Sequence, residues 1–143
     1  MRVLGVDFGQ RRIGLALSDP TGTLASPWQT LQAATTPGES AAKIALLISE
    51  ARDAEDPIDA IVVGLPQRLG GGDTDQTAAV RDFARALGET TGLAVHLQDE
   101  RLTSHEAEIR LAERERDWRR RKARLDAAAA AIILQDYLDW RAR

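Results

Sequence analysis

The fold is decided near the N-terminus by residues 3–18, which read VLGVDFGQRRIGLALS. The apolar run at 3–6 meets Asp7, Phe8 and Gly9, and this pattern predicts a buried strand followed by a tight turn. A second apolar run at 13–18 predicts the next strand, and a turn signal at 19–22 separates it from a third strand at 24–31. Residues 2–31 therefore predict an antiparallel meander.

Helices and strands alternate in the rest of the chain. Apolar residues at helical spacing predict a helix over 39–54, and the β-branched run at 58–63 is typical of a central parallel strand. A Gly-rich loop at 65–72 leads to a helix that Asp73 caps and that ends near Thr91, and 93–97 predicts a fifth strand. A capping-box pattern at 103–106 predicts another helix, and the last helix spans about 125–141.

This order of elements, β-β-β-α-β-α-β-α-α, predicts the fold class. It indicates an α/β fold with a five-stranded mixed sheet, in which an antiparallel meander is followed by parallel strands and helices flank the sheet. The length of 143 residues is that of one domain.

Composition limits the classes of protein and of site. The absence of cysteine excludes disulfides and cysteine-based zinc sites. The longest apolar run, 127–134, is too short to cross a bilayer, and the N-terminus has no secretory signal pattern. We therefore expect a cytoplasmic protein with no membrane partner.

Charge is distributed unevenly along the chain. The formal net charge is -3, which by itself disfavours a nucleic-acid partner. Residues 114–124 nevertheless contain seven basic and two acidic residues. The densest part, residues 119–124, is called the basic segment below, and it directly precedes Asp126. It predicts a nucleic-acid-binding face formed by Arg119, Arg120, Arg121, Lys122 and Arg124, although a solvated helix surface is the alternative.

Three carboxylates are candidates for catalysis and for metal binding. Asp7 ends the first predicted strand, Glu100 follows the fifth, and Asp126 lies near the start of an Ala-rich helix. Acids that converge in this way repel one another unless a cation is present, and their hard oxygen atoms suit Mg²⁺ or Mn²⁺. Each acid also has a structural alternative. Asp7 is then a turn former, Glu100 a solvated loop residue or a partner of Arg101, and Asp126 a helix N-terminal charge.

Four further residues are candidates for contacts with phosphate. Gly9 allows the backbone to approach a scissile phosphate, or else supplies a positive φ in the turn. Arg11 and Arg12 follow in the hairpin, and the alternation of side chains predicts that one points to the site and the other to solvent. Arg101 is expected either to steady Glu100 or to meet a phosphate.

Several motifs together resemble the YqgF (RuvX) family. They are DFGQRRIG at 7–14, VGLP at 63–66, DERLTS at 99–104 and KARLD at 122–126, followed by Ala128-Ala129 and Ile133-Leu134-Gln135. They occur in the family's order and span nearly the whole chain. The chain departs from the family pattern at 67–73, where it reads QRLGGGD.

The resemblance implies a fold, an activity and a partner. It implies a single RNase H-like nuclease domain over residues 1–143, related to the RuvC Holliday-junction resolvases. It also implies a nuclease that trims the 5′ end of pre-16S rRNA during ribosome biogenesis, with ribosomal particles as partners. The family's acidic triad falls on Asp7, Glu100 and Asp126.

Three other functions are alternatives. One is a resolvase that cuts branched, four-way DNA, and a second is a non-catalytic RNase H-like module that binds RNA or protein. The third is an actin-like ATPase or sugar kinase, since that superfamily shares the core and the Asp-x-Gly opening. It needs two such domains to clamp a nucleotide, whereas 143 residues supply one.

Overall fold

The computed structural model describes residues 1–66, 75–99 and 118–142. The strands are β1 (Val3–Phe8), β2 (Arg12–Ser18), β3 (Ala25–Gln32), β4 (Ala60–Leu65) and β5 (Ala94–Asp99). The helices in these ranges are α1 (Pro37–Asp53), α2 (Asp75–Thr91) and α3 (Trp118–Arg141). The helix predicted from Thr103 and the loop at 67–73 with its Asp73 cap lie outside the described residues.

One mixed sheet has the strand order β3-β2-β1-β4-β5. β1 pairs antiparallel with β2, and β2 pairs antiparallel with β3. β4 is parallel to β1 and to β5. The predicted meander followed by parallel strands is therefore confirmed, and β1 lies at the centre of the sheet.

Each face of the sheet carries its own apolar cluster, because side chains alternate along a strand. Leu4 and Val6 of β1 pack with Ile44 of α1 and Phe83 of α2. On the opposite face, Val3 belongs to the cluster that contains Ala130, Ile133 and Leu134 of α3. The sheet therefore separates α1 and α2 from α3, so residues at odd positions in β1 face α3.

The start of α1 corrects one expectation. Residues 35–38 were expected to interrupt the chain before a helix over 39–54. Instead, the Thr36 side chain accepts a hydrogen bond from the Glu39 backbone N–H at 3.2 Å, and Pro37 is the first helical residue. Threonine is a good N-cap and proline suits the first turn, where its missing N–H needs no partner.

The start of α3 corrects a second expectation. The helix was expected to begin near Leu125, but it begins at Trp118, so Asp126 lies about two turns inside it. The apolar periodicity that predicted the helix starts only at Leu125, because the preceding turns are charged. The interpretation of Asp126 as a helix N-terminal charge is therefore wrong, since that stabilisation fades beyond the first turn.

The turn between β2 and β3 is held by two polar side chains. The Asp19 carboxylate accepts hydrogen bonds from the Thr21 hydroxyl, from Leu24 N at 2.9 Å and from Thr23 N at 2.8 Å, and these lower the pKa of Asp19 well below its ordinary value. From α3, Gln135 donates to Thr23 O at 3.0 Å and accepts from Ala25 N at 2.9 Å. These bonds tie α3 to the meander.

Among the helices in the described ranges, none is long and apolar enough to cross a membrane.

Candidate active site

The hairpin between β1 and β2 depends on a close backbone approach at Gly9. Its N–H donates to Arg12 O at 3.0 Å, and a Cβ at this position would lie 2.5 Å from the same oxygen. Among the described glycines, positive φ values occur at Gly22 and Gly92, not at Gly9. The alternative of a positive φ is therefore wrong: Gly9 is required because a side chain would collide with Arg12.

Asp7 lies on the face of the sheet that α3 covers. It is half-buried inside β1 and not at its end, because pairing with β2 extends the strand to Phe8. Its Cα is paired with that of Gly14 across the antiparallel ladder, and side chains of directly opposed residues share one face.

Gly14 brings Asp126 to the same place. A Cβ on Gly14 would lie 1.9 Å from the Asp126 backbone oxygen, so the α3 backbone rests directly on this glycine. Gly5, two residues before Asp7 on the same face, makes a similar contact: its Cβ would lie 2.7 Å from Leu134 Cβ. The two glycines let α3 approach the centre of the sheet, and the contact at Gly14 places the Asp126 backbone against the residue that is paired with Asp7.

Sequence reasoning missed this role of Gly5 and Gly14. A signal was present, since an isolated glycine within a strand pattern often marks a close approach of backbone. Both positions share the alternation of Asp7, which places them on its face of the sheet.

Asp126 is held in an ion pair with Arg12. The Arg12 Nε donates to Asp126 Oδ2 at 2.7 Å, and the two side chains are 33% and 25% exposed. Arg11 is exposed. Of the two arginines, Arg12 contacts a candidate acid and Arg11 is turned to solvent, and a phosphate contact for either stays a prediction. The partner that Arg12 finds is a carboxylate of the candidate triad.

The remaining predicted site residues lie outside what the structure describes. β5 ends at Asp99, one residue before Glu100, and both Glu100 and Arg101 lie outside the described residues. The side chains of the basic segment also lie outside them, although its backbone forms part of α3. Their assignment therefore stays a prediction.

The donor set suits a hard divalent cation. Asp7 and Asp126 supply carboxylate oxygens on one face, and Asp126 already binds a cation, the Arg12 guanidinium. Within residues 1–66, 75–99 and 118–142 there is no group of three or more histidine, cysteine, aspartate or glutamate side chains that would complete a metal site. The third predicted ligand, Glu100, lies beyond those ranges.

The chain is similar to known proteins over nearly its whole length. A protein of Maridesulfovibrio salexigens named "Putative pre-16S rRNA nuclease" is 40% identical over 138 residues, which cover 96% of this chain and 98% of that protein. The RuvC structure of Thermus thermophilus in complex with a Holliday junction substrate superposes with a TM-score of 0.54 at 18% identity, covering 99% of this chain and 96% of that one. This likeness shows that the fold is RNase H-like, as predicted.

A sugar kinase shares part of the same fold. The ROK hexokinase of Thermus thermophilus matches with a TM-score of 0.50 at 24% identity, covering 76% of this chain but 38% of the kinase chain. The likeness is one of fold alone.

Sequence similarity shows the family to which the chain belongs. The family model for RuvX, described as Holliday junction resolvase, matches residues 1–140. With this match and a relative that is 40% identical over nearly the full length of both chains, the protein belongs to the RuvX family.

Proposed function

We propose that this protein is a nuclease that hydrolyses phosphodiester bonds of structured nucleic acid with a divalent metal ion, Mg²⁺ or Mn²⁺. Asp7, Glu100 and Asp126 are the proposed catalytic residues and metal ligands. The observation that carries the proposal is the convergence of Asp7 and Asp126 at Gly14, on one face of an RNase H-like sheet. Two neighbouring carboxylates repel each other when both are ionised, and a shared cation removes this repulsion.

The chain's own residues hold the two carboxylates in place. β1, at the centre of the sheet, positions Asp7, and the contact of α3 with Gly14 positions Asp126. These residues would hold a divalent ion, which would supply activation of a water and stabilisation of the leaving oxygen of the phosphodiester. The role of the protein is therefore to fix the acids before the substrate arrives.

The basic segment is the proposed grip on the substrate, together with Gly9, Arg11, Arg12 and Arg101. Its support is its position in α3, since residues 119–124 precede Asp126 by no more than about 10 Å along the helix axis. A nucleic-acid strand that contacts this segment is delivered to the acids. Local contacts of this kind are needed because the net charge of the whole chain is -3.

The proposed substrate is the 5′ end of pre-16S rRNA, cut in the cytoplasm, free or within ribosomal particles. The name of the Maridesulfovibrio relative supports this substrate. A four-way DNA junction is the second candidate, which the description of the family model and the RuvC complex favour.

A paired cleavage assay tests the proposal. The purified protein is incubated with an RNA that spans the 5′ end of the 16S precursor and with a four-way DNA junction, each with Mg²⁺ or with EDTA. We expect Mg²⁺-dependent cleavage of the RNA, abolished by Asp7→Asn. The matched control is Asp53→Asn, the same chemical change at an exposed residue that ends α1 on the opposite face of the sheet.

The outcomes separate the candidate functions. Cleavage of the junction alone would assign the second substrate. Binding without cleavage of either substrate would contradict the nuclease and indicate a non-catalytic module.

A further inference from the structure

The ion pair between Arg12 and Asp126 joins two elements that are each fixed. Arg12 O accepts a hydrogen bond from Gly9 N at 3.0 Å, and the Cα of Arg12 is paired with that of Gln32 in β3. The Asp126 backbone is in contact with Gly14. Because neither backbone can withdraw easily, the contact is made or broken by rotation of the arginine side chain.

The pair occupies one oxygen, Oδ2, of a carboxylate that is also a proposed metal ligand. Arg12 reaches Asp126 through Nε alone, at 2.7 Å, within the part of the chain that the structure describes. A divalent ion on the same carboxylate would bring two further positive charges close to the guanidinium, and like charges repel strongly at such short range. The arginine and the metal are therefore competitors for Asp126.

We propose that Arg12 is the internal counter-ion of Asp126: it occupies the carboxylate before the metal binds and is displaced when the metal binds. The inference rests on the proposed function, since it takes Asp126 as a metal ligand. It explains how the acids can converge in the metal-free fold, because the guanidinium offsets their mutual repulsion. It also implies an order of events, in which Arg12 becomes available to a substrate phosphate only after the metal has entered.

Calorimetric titration with Mn²⁺ tests the competition in the full-length protein. Arg12→Gln removes the competing charge, so we expect it to bind Mn²⁺ roughly three- to tenfold more tightly than the wild type. The matched control is Arg11→Gln, which makes the same change of net charge at the neighbouring, exposed arginine. Its effect should be small, because Arg11 is exposed and charges in water interact weakly and are screened by salt. Arg12→Lys, which keeps the charge, should stay closer to the wild type than Arg12→Gln does.

A second measurement needs no variant at all. In the wild type, the Nε–H resonance of Arg12 should shift when Mg²⁺ is added, because its hydrogen bond to Asp126 is lost, while that of Arg11 should not. Circular dichroism of the metal-free variants checks that each one is folded.

The results distinguish this proposal from the nuclease proposal. If all proteins bind Mn²⁺ but Arg12→Gln binds no more tightly than the wild type, or more weakly, the counter-ion role is wrong and the metal site survives. An unmoved Arg12 resonance at saturating Mg²⁺ would overturn it equally. If the wild type and Arg12→Gln both fail to bind a divalent ion, the metal-dependent nuclease itself is contradicted.

Discussion

Replacing Gly14 with alanine probes the helix–sheet contact that brings the two acids together. The new Cβ would lie 1.9 Å from Asp126 O, 2.2 Å from Asp126 C and 2.9 Å from Ala127 N, all backbone atoms of α3. To restore normal van der Waals separation the helix must retreat by about 1.5 Å. Because backbone cannot rotate away as a side chain can, we expect a loss of about 3–4 kcal/mol in the free energy of unfolding, near the upper end for overpacking.

Two other glycines provide matched controls. In Gly5→Ala the new Cβ would lie 2.7 Å from Leu134 Cβ, so this variant disturbs the same helix at a point distant from the acids. We expect the free energy of unfolding to fall by about 1–3 kcal/mol. Gly88 lies within α2 and its Cβ would be 3.5 Å from Val95 Cγ2, an ordinary contact. Gly88→Ala should therefore stabilise the protein by about 0.5–1 kcal/mol, since alanine is the better helix former.

Urea and thermal denaturation measure the loss of stability, and Mn²⁺ titration measures the loss of metal affinity. For a chain of this size, a loss of about 3–4 kcal/mol lowers Tm by about 9–12 °C. Gly14→Ala should also weaken Mn²⁺ binding by more than Gly5→Ala does, because only Gly14 lies against Asp126. If Gly14→Ala is as stable as Gly88→Ala, or if the Gly5 and Gly14 variants lose metal affinity equally, Gly14 does not position Asp126 for the metal.

The turn at Asp19, the Gln135 bonds of α3 and the basic segment can each be tested by substitution. The folded-state pKa of Asp19 lies below its unfolded value near 3.8. The Asp19 carboxylate therefore stabilises the fold above that pH, and this stabilisation is lost as the pH falls. In Asp19→Asn, the free energy of unfolding should decrease less steeply with falling pH. Gln135→Leu removes the two bonds to Thr23 O and Ala25 N and should lower the free energy of unfolding by about 1–3 kcal/mol in urea, whereas an unchanged midpoint would show that water replaces them. Replacing Arg120, Arg121 and Lys122 with glutamine should reduce the slope of log K against log salt for single-stranded RNA by roughly 0.7 per lost contact, and equal slopes would assign the basic segment to a solvated surface.

The strands and their order along the chain could be predicted because apolar and β-branched runs mark strands directly. The ends of elements were less accessible. β1 extends through Asp7 and Phe8 because its partner β2 continues there, and α3 begins in a charged stretch where apolar periodicity gives no signal. Pairing and tertiary contacts decide such ends, and a sequence pattern does not contain them.

The site was predicted unevenly for a similar reason. The residue types and the family motifs made Asp7 and Asp126 candidates, but did not show how α3 reaches the sheet. Arg12 and Asp126 are 114 residues apart, and their pairing depends on α3 resting on Gly14. Gly5 and Gly14 indicate where the helix contacts the sheet, since each lacks a side chain and leaves a space that α3 fills.

Mn²⁺ affinity measured for the wild type, Asp7→Asn and Asp126→Asn shows whether Asp7 and Asp126 hold one cation together. Removing one negative charge next to a divalent ion should weaken binding on the order of a hundredfold in either variant. Asp53→Asn, at the end of α1, should bind as the wild type does. If either Asp7→Asn or Asp126→Asn binds Mn²⁺ with wild-type affinity, the two acids do not hold one cation together.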